Sequence, residues 1–346
     1  VIYSQGAFAW NGHPAVALIP DGRIFIVWSP QIGFARGGRL VGSFSSDGGR
    51  TWGEGIELVN NPNRDDADPS IIVDGHRLLV ISGSGPVPET FDKFNPWPTN
   101  RARAWFYITA SEDAGKTWSP PSLLDLPHQS IGKRANGLRL DDGSLLLPYY
   151  YDSGSERGTV PKLEGDMRSV SLAARSTDGG RIWISGEELV NCGADNCDEP
   201  AVVQLSNGEL YSLMRSMTEH PYESRSRDRG RTWDTPKPSP ILAAKNNPFA
   251  VYRLEKRQGD ELIAAWNYPD RLSLVAAFSP DGGKTWTTPK LIARPNPQAG
   301  YWADNPSICE TSDGLIVVAW QQETLPRHLG KEVRLARFNR AWLISQ

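Results

Sequence analysis

An eight-residue phrase, Ser-x-Asp-x-Gly-x-x-Trp, occurs five times in the chain, beginning at Ser45, Ser111, Ser176, Ser226 and Ser279. The intervals between copies are 66, 65, 50 and 53 residues. Recurrence at such a period marks a repeat architecture, in which one supersecondary unit cannot bury its apolar face without neighbours. The residue types fit a tight turn. Asp accepts hydrogen bonds from backbone N–H groups there, Gly supplies a positive φ, and Trp buries a ring that keeps one N–H to satisfy. A short apolar strand precedes each copy, and a polar stretch and a further strand follow it. The phrase therefore reads as the turn between the third and fourth strands of a blade.

A second signal interleaves with the first. An apolar strand, a Gly-containing turn and another apolar strand recur at 14–29, 69–82, 136–151, 200–216, 248–267 and 306–322. Asp-Gly and Asn-Gly between alternating apolar runs favour hairpins. Together the two signals predict an all-β chain, a six-bladed β-propeller with four-stranded antiparallel blades, as one domain over residues 1–346. The sixth blade lacks the phrase. It is expected to end in a strand over 332–344, with segment 1–10 adding a strand that closes the ring and so protects the sheet edges.

Charge and cysteine usage narrow the function. The net charge is −3 with no basic block, which argues against nucleic acid and anionic membrane as partners. No apolar run approaches about 18 residues, so no helical membrane span is expected. The sequence starts at Val1 without Met or a signal-like segment, as a mature or trimmed chain would, and a secreted or periplasmic location is expected. Cys192 and Cys197 share one short loop, where a local disulfide and two free thiols both fit. Zinc does not fit, because no second ligand pair accompanies them. Cys309 is expected as a small buried hydrophobe. Phosphate-loop, nucleophile-elbow and His-Glu-x-x-His motifs are absent. Calcium among Asp65, Asp66 and Asp68 would not be an EF-hand site. No metal and no cofactor is expected.

Blade topology says where chemistry can sit. If the first strand of each blade runs from face one to face two, the repeated turns all lie on face two. Residues before the first strand and after the second lie on face one. That face collects His13, Asp66, Asp68, Arg134, Asn136, Tyr149–Asp152, Glu199, Arg215, Asn246, Asn247, Arg271 and Tyr301–Asp304.

These features resemble the BNR, or Asp-box, repeats of the sialidase superfamily, and the likeness covers nearly the whole chain. Sialidases carry a fourth-blade Glu before the first strand with an Arg sixteen residues later, as Glu199 and Arg215 stand in DEPAVVQLSNGELYSLMRS. They place another Arg about fifteen residues before the last box Trp, as Arg271 stands to Trp286. They also carry a Tyr at the start of the sixth blade, where Tyr301 stands in AGYWADNPSI. The resemblance implies a Tyr nucleophile whose proton passes to Glu, an exception to two-carboxylate glycosidases. It also implies arginines that fork onto a substrate carboxylate, and an Asp acid/base from the loop before the first box.

The chain departs from that pattern twice. His13, in Gly12-His13-Pro14, replaces the family's first-blade Arg, and the loop QIGFARGGRL contains no carboxylate. Arg36 and Arg39 are candidates to replace the lost cation, and Asp66 and Asp68 are the nearest acid candidates. The catalytic candidates are Tyr301, Glu199, Asp68, Asp66 and His13. The substrate-binding candidates are Arg215, Arg271, Arg134, Arg36, Asn247, Trp302 and Tyr150. Tyr301 and Glu199 are expected within hydrogen-bond reach, and Arg215 close to Arg271. Three functions fit: a glycosidase acting on a terminal acidic sugar of a glycan or small glycoside, a propeller lyase acting on a uronic acid through His13, Tyr301 and Arg215, and a carbohydrate-binding propeller without catalysis.

Overall fold

The computed structural model describes residues 10–31, 37–86, 105–126, 128, 135–152, 169–186, 192, 195–241, 243–255, 259–294, 302–324 and 330–345. The chain forms a six-bladed propeller of four-stranded antiparallel blades. The first blade runs through Trp10–Leu18, Ile24–Gln31, Leu40–Ser45 and Ile56–Val59, and each of the next four repeats that order from the axis outward. In the sixth, the described strands are Ala303–Glu310, Leu315–Thr324 and Gly330–Asn339. This last strand meets the first blade at Trp10, paired in parallel with Lys331. The expected closing segment 1–9 lies outside the described residues. The end of the chain differs from the sequence reading. Its strand stops at Asn339, whose side chain caps a short helix, Arg340–Ile344, by accepting the Trp342 N–H at 2.8 Å. Arg340 ties that helix to Glu261 of the fifth blade.

The repeated turns fold as their residue types require. In each, the Ser hydroxyl donates to the Asp carboxylate and accepts the Gly N–H, as in Ser45–Asp47 and Gly49–Ser45, both 2.8 Å. The Asp then accepts the N–H two residues after that Gly, as in Thr51–Asp47 at 2.9 Å. Hydrogen bonds from Thr51 hold the Asp47 carboxyl well below the usual carboxylate range, with Thr117 doing the same at Asp113.

Blade faces bury alternate residues against the next blade. Each of the six blade interfaces holds one apolar cluster, such as Val16, Ile26 and Trp28 against Cys309, Val317 and Ala319 where the sixth blade meets the first. Polar side chains stitch the innermost strands. Asn136 accepts the Ile71 N–H at 3.1 Å and donates to the Val16 carbonyl at 2.7 Å, joining three blades. Val16 N–H donates to Ser307 at 3.0 Å, linking the first blade to the sixth. An axial cavity of about 490 Å³ remains between the inner strands, walled largely by apolar residues such as Val16, Ile71, Val202, Val251 and Ile308. With the repeated turns and inner hairpin turns together at one face, the starts of the inner strands are left to form the other.

Candidate active site

Four inner strands break register at the same place. The shifts fall between Gly12 and Ala15, Ala67 and Ser70, Asp198 and Ala201, and Asp304 and Ser307. In each, the residue before a proline takes a positive φ: His13 at 51°, Asp68 at 52°, Glu199 at 50° and Asn305 at 53°. Proline has no N–H for the ladder, and a bulge re-aims the neighbouring side chain. A non-Gly residue at such φ costs of order 1–3 kcal/mol and persists only where its surroundings fix it. The fifth blade offers a variant, with Asn246 at φ 60° before Asn247-Pro248. The propeller thus sets a polar, strained residue at the face-one end of most of its inner strands.

Ion pairs organise these residues. Arg215 Nη1 lies 2.6 Å from Glu199 Oε1, and Arg215 Nε donates to Asn246 Oδ1 at 2.7 Å. Asp198 Oδ1 stands 3.6 Å from the same Nε. The Glu199 side chain is 1% exposed and that of Arg215 14%, so the cation is the outer partner. Arg271 pairs with Asp304 and lies over the Trp302 ring, 5.1 Å from its centroid. Its Nε is buried without an acceptor among the described residues. His13 Nδ1 stands 3.3 Å from Asp68 Oδ1 across the first two blades.

Several residues singled out in the sequence have other duties. Asp66 is fully buried and accepts both the backbone and the side-chain N–H of Asn61, at 2.7 and 2.8 Å. Asn247, 1% exposed, donates to the carbonyls of Ala244 and Asn267 at 3.0 Å each. Asn246, not Asn247, therefore reaches Arg215. Arg39 pairs with Glu57 at 2.5 Å. Tyr150 is half-buried on the second strand of the third blade. Arg36, Arg134 and Tyr301 lie outside the described residues. The sixth-blade position equivalent to Glu199 is held by Asn305, four residues beyond Tyr301.

The three clustered carboxylates do not converge on one point. Asp65 accepts the Gly38 N–H at 2.7 Å and the Gln31 amide at 3.2 Å, and burial pushes its carboxyl up to about 6. Asp66 faces Asn61 and Asp68 faces His13. Among the described residues no group of three or more His, Cys, Asp or Glu side chains is arranged to hold a metal ion. Cys192 and Cys197 form a disulfide, which anchors the chain just ahead of Asp198 and Glu199. Cys309 is buried, and burial pushes its thiol up to about 12.

Sequence reasoning missed Asn305 and the pairing role of Asp304. The signal for the bulges was present as polar-residue–proline dipeptides: His13-Pro14, Asp68-Pro69, Glu199-Pro200 and Asn305-Pro306.

Residues 90–318 match the family model described as a BNR repeat-like domain. The sialidase of Micromonospora viridifaciens is 24% identical over 99% of this chain and 54% of its own length. The sialidase of Clostridium perfringens is 23% identical over 69% of this chain and 62% of its own length. The chain thus spans less than two thirds of these curated relatives. In fold it is similar to the intramolecular trans-sialidase of Ruminococcus gnavus, solved with oseltamivir carboxylate. The TM-score is 0.73 and the identity 13%, covering 100% of this chain and 98% of that one.

Proposed function

The chain belongs to the BNR repeat-like domain family as a divergent member of the sialidase superfamily, and from that premise we propose that it is a glycosidase releasing a terminal acidic sugar. The observation that carries this reading is the pair of outer cations on face one. Arg215 and Arg271 are each backed by a buried carboxylate, Glu199 and Asp304. A guanidinium held from behind keeps its orientation and loses little freedom when it binds a substrate carboxylate. Trp302, already under Arg271, offers an apolar face to a sugar ring. By the resemblance, Tyr301 attacks the anomeric carbon and Glu199 takes its proton. A secreted or periplasmic setting is supported by the Cys192–Cys197 disulfide, since such bonds persist in oxidising compartments.

The His13–Asp68 contact favours a second reading, removal of the proton beside a uronic acid carboxylate by a propeller lyase. Product analysis on sialosides and uronides separates the two. The glycosidase reading expects a free sugar and no new ultraviolet absorbance. An unsaturated, absorbing product would replace it with the lyase.

A further inference from the structure

The loop before the first box has no carboxylate to act as acid/base, yet a glycosidase must protonate its leaving group. We infer that His13, oriented by Asp68, is the residue that moves this proton; the inference rests on the glycosidase reading above.

Both residues sit on bulges of adjacent blades, at the same step before a proline and with nearly the same φ, 51° and 52°. Across the blade boundary Nδ1 stands 3.3 Å from Oδ1, an ion-pair distance rather than an aligned hydrogen bond. The pair is graded from inside outward. The Asp68 side chain is 8% exposed and that of His13 20%, so the carboxylate is the more deeply buried partner and the imidazole the outer one. A carboxylate facing one ring nitrogen favours the tautomer with the proton there and steadies the imidazolium.

The backbone of His13 is held as well. Its N–H donates to Gln321 Oε1 at 3.1 Å, and Gln321 is 5% exposed. That amide oxygen can come so close because residue 12 is glycine. A Cβ on Gly12 would stand 2.8 Å from it. Sixth-blade Gln321 and first-blade Gly12 therefore hold the His13 backbone, while second-blade Asp68 faces its imidazole.

The chemistry balances. As the bond between the anomeric carbon and the glycosidic oxygen breaks, its electron pair goes to that oxygen, which takes the proton from His13 Nε2. The carbon, bonded meanwhile to the Tyr301 oxygen, is finally bonded by the oxygen of a water molecule, which gives one proton back to Nε2 as the Tyr301 oxygen leaves with its electron pair and recovers its proton from Glu199. The imidazolium is restored, and one water has been consumed for one bond cleaved.

Two measurements test this, with variants chosen for the positive φ. Asn and Gly tolerate it, whereas Ala does not. First, long-range nitrogen–proton NMR on the intact chain reads the His13 tautomer at a pH where imidazoles are neutral, with His13→Asn giving the assignment. The proton is expected on Nδ1, and Asp68→Gly is expected to remove that preference. A proton on Nε2, or no change in Asp68→Gly, overturns the pairing. Second, kinetics on a cleaved acidic glycoside compare an alkyl with a nitrophenyl leaving group. His13→Asn should lower kcat on the alkyl substrate by about 10²–10⁴-fold with KM nearly unchanged. The loss should shrink at least about tenfold on the nitrophenyl substrate, whose leaving group needs no proton. Equal losses on both, or a loss confined to KM, would make His13 a binding residue and overturn the assignment. Turnover absent on every acidic glycoside, with the tautomer as expected, would instead bring down the glycosidase reading and the assignment that rests on it.

Discussion

Replacing Arg215 with Met should cost more stability than replacing Glu199 with Gln. The asymmetry follows from burial. Glu199 is 1% exposed at its side chain, so Arg215→Met takes the guanidinium from a carboxylate that lies away from water. Breaking a buried pair in that way costs about 3–5 kcal/mol, a large share of the roughly 5–15 kcal/mol that holds a domain folded. Glu199→Gln leaves Arg215 14% exposed, still donating to Asn246 and still near Asp198, and should cost about 1–3 kcal/mol. The double variant removes both charges, and its cost should fall short of the sum by about 1–3 kcal/mol. Urea unfolding followed by tryptophan fluorescence at pH 7 gives all three values. A larger cost for Glu199→Gln than for Arg215→Met, or additivity of the two within about 0.5 kcal/mol, would rule out this burial asymmetry. On substrate, Arg215→Met should weaken affinity by roughly 10- to 150-fold, the loss of one charge-assisted hydrogen bond.

Two further outcomes are expected. Tyr301→Phe should lower turnover by orders of magnitude while the urea midpoint stays in place; near wild-type turnover would remove Tyr301 from the chemistry and turn attention to Asn305. Asp65 has its carboxyl pushed up to about 6 by burial, against the hydrogen bonds from Gly38 and Gln31. Its folded state holds the proton more tightly than the unfolded state, whose value is about 3.9, so stability is lost as pH rises through about 4 to 6 and stays lost above. Asp65→Asn should therefore gain on the parent by up to about 3 kcal/mol between pH 4 and pH 7.5, read as urea midpoints at both. A pH-independent difference would contradict this.

The ring was legible because its signals are local. Each repeated turn is written in eight consecutive residues, and each hairpin turn in two. The inner-strand starts were harder. Proline was read as the first residue of a strand, which it commonly is. Here Pro14, Pro69, Pro200 and Pro306 sit inside bulges, and the strands begin upstream at Trp10, Arg64, Cys197 and Ala303. The polar residue before each proline was thus seen as a rim residue rather than an aimed one. Residue spacing along a loop also cannot tell which of two polar residues turns inward. Asn246 reaches Arg215 while Asn247 turns to the backbone, and Asp304 takes Arg271 from 33 residues away. The cysteine loop allowed a bridge or two thiols, and the bridge formed because the chain brings the two Cα atoms to 5.6 Å.

Arg215 and Arg271 together should bind a substrate carboxylate. The most direct test is to compare hydrolysis of one acidic glycoside with its carboxyl-reduced counterpart, in which a hydroxymethyl group replaces the carboxylate. The acidic sugar should be released, with a fall in kcat/KM of roughly 100-fold or more on the reduced substrate, from two charge-assisted hydrogen bonds lost at about 1.5–3 kcal/mol each. Equal kcat/KM on the two substrates would contradict it.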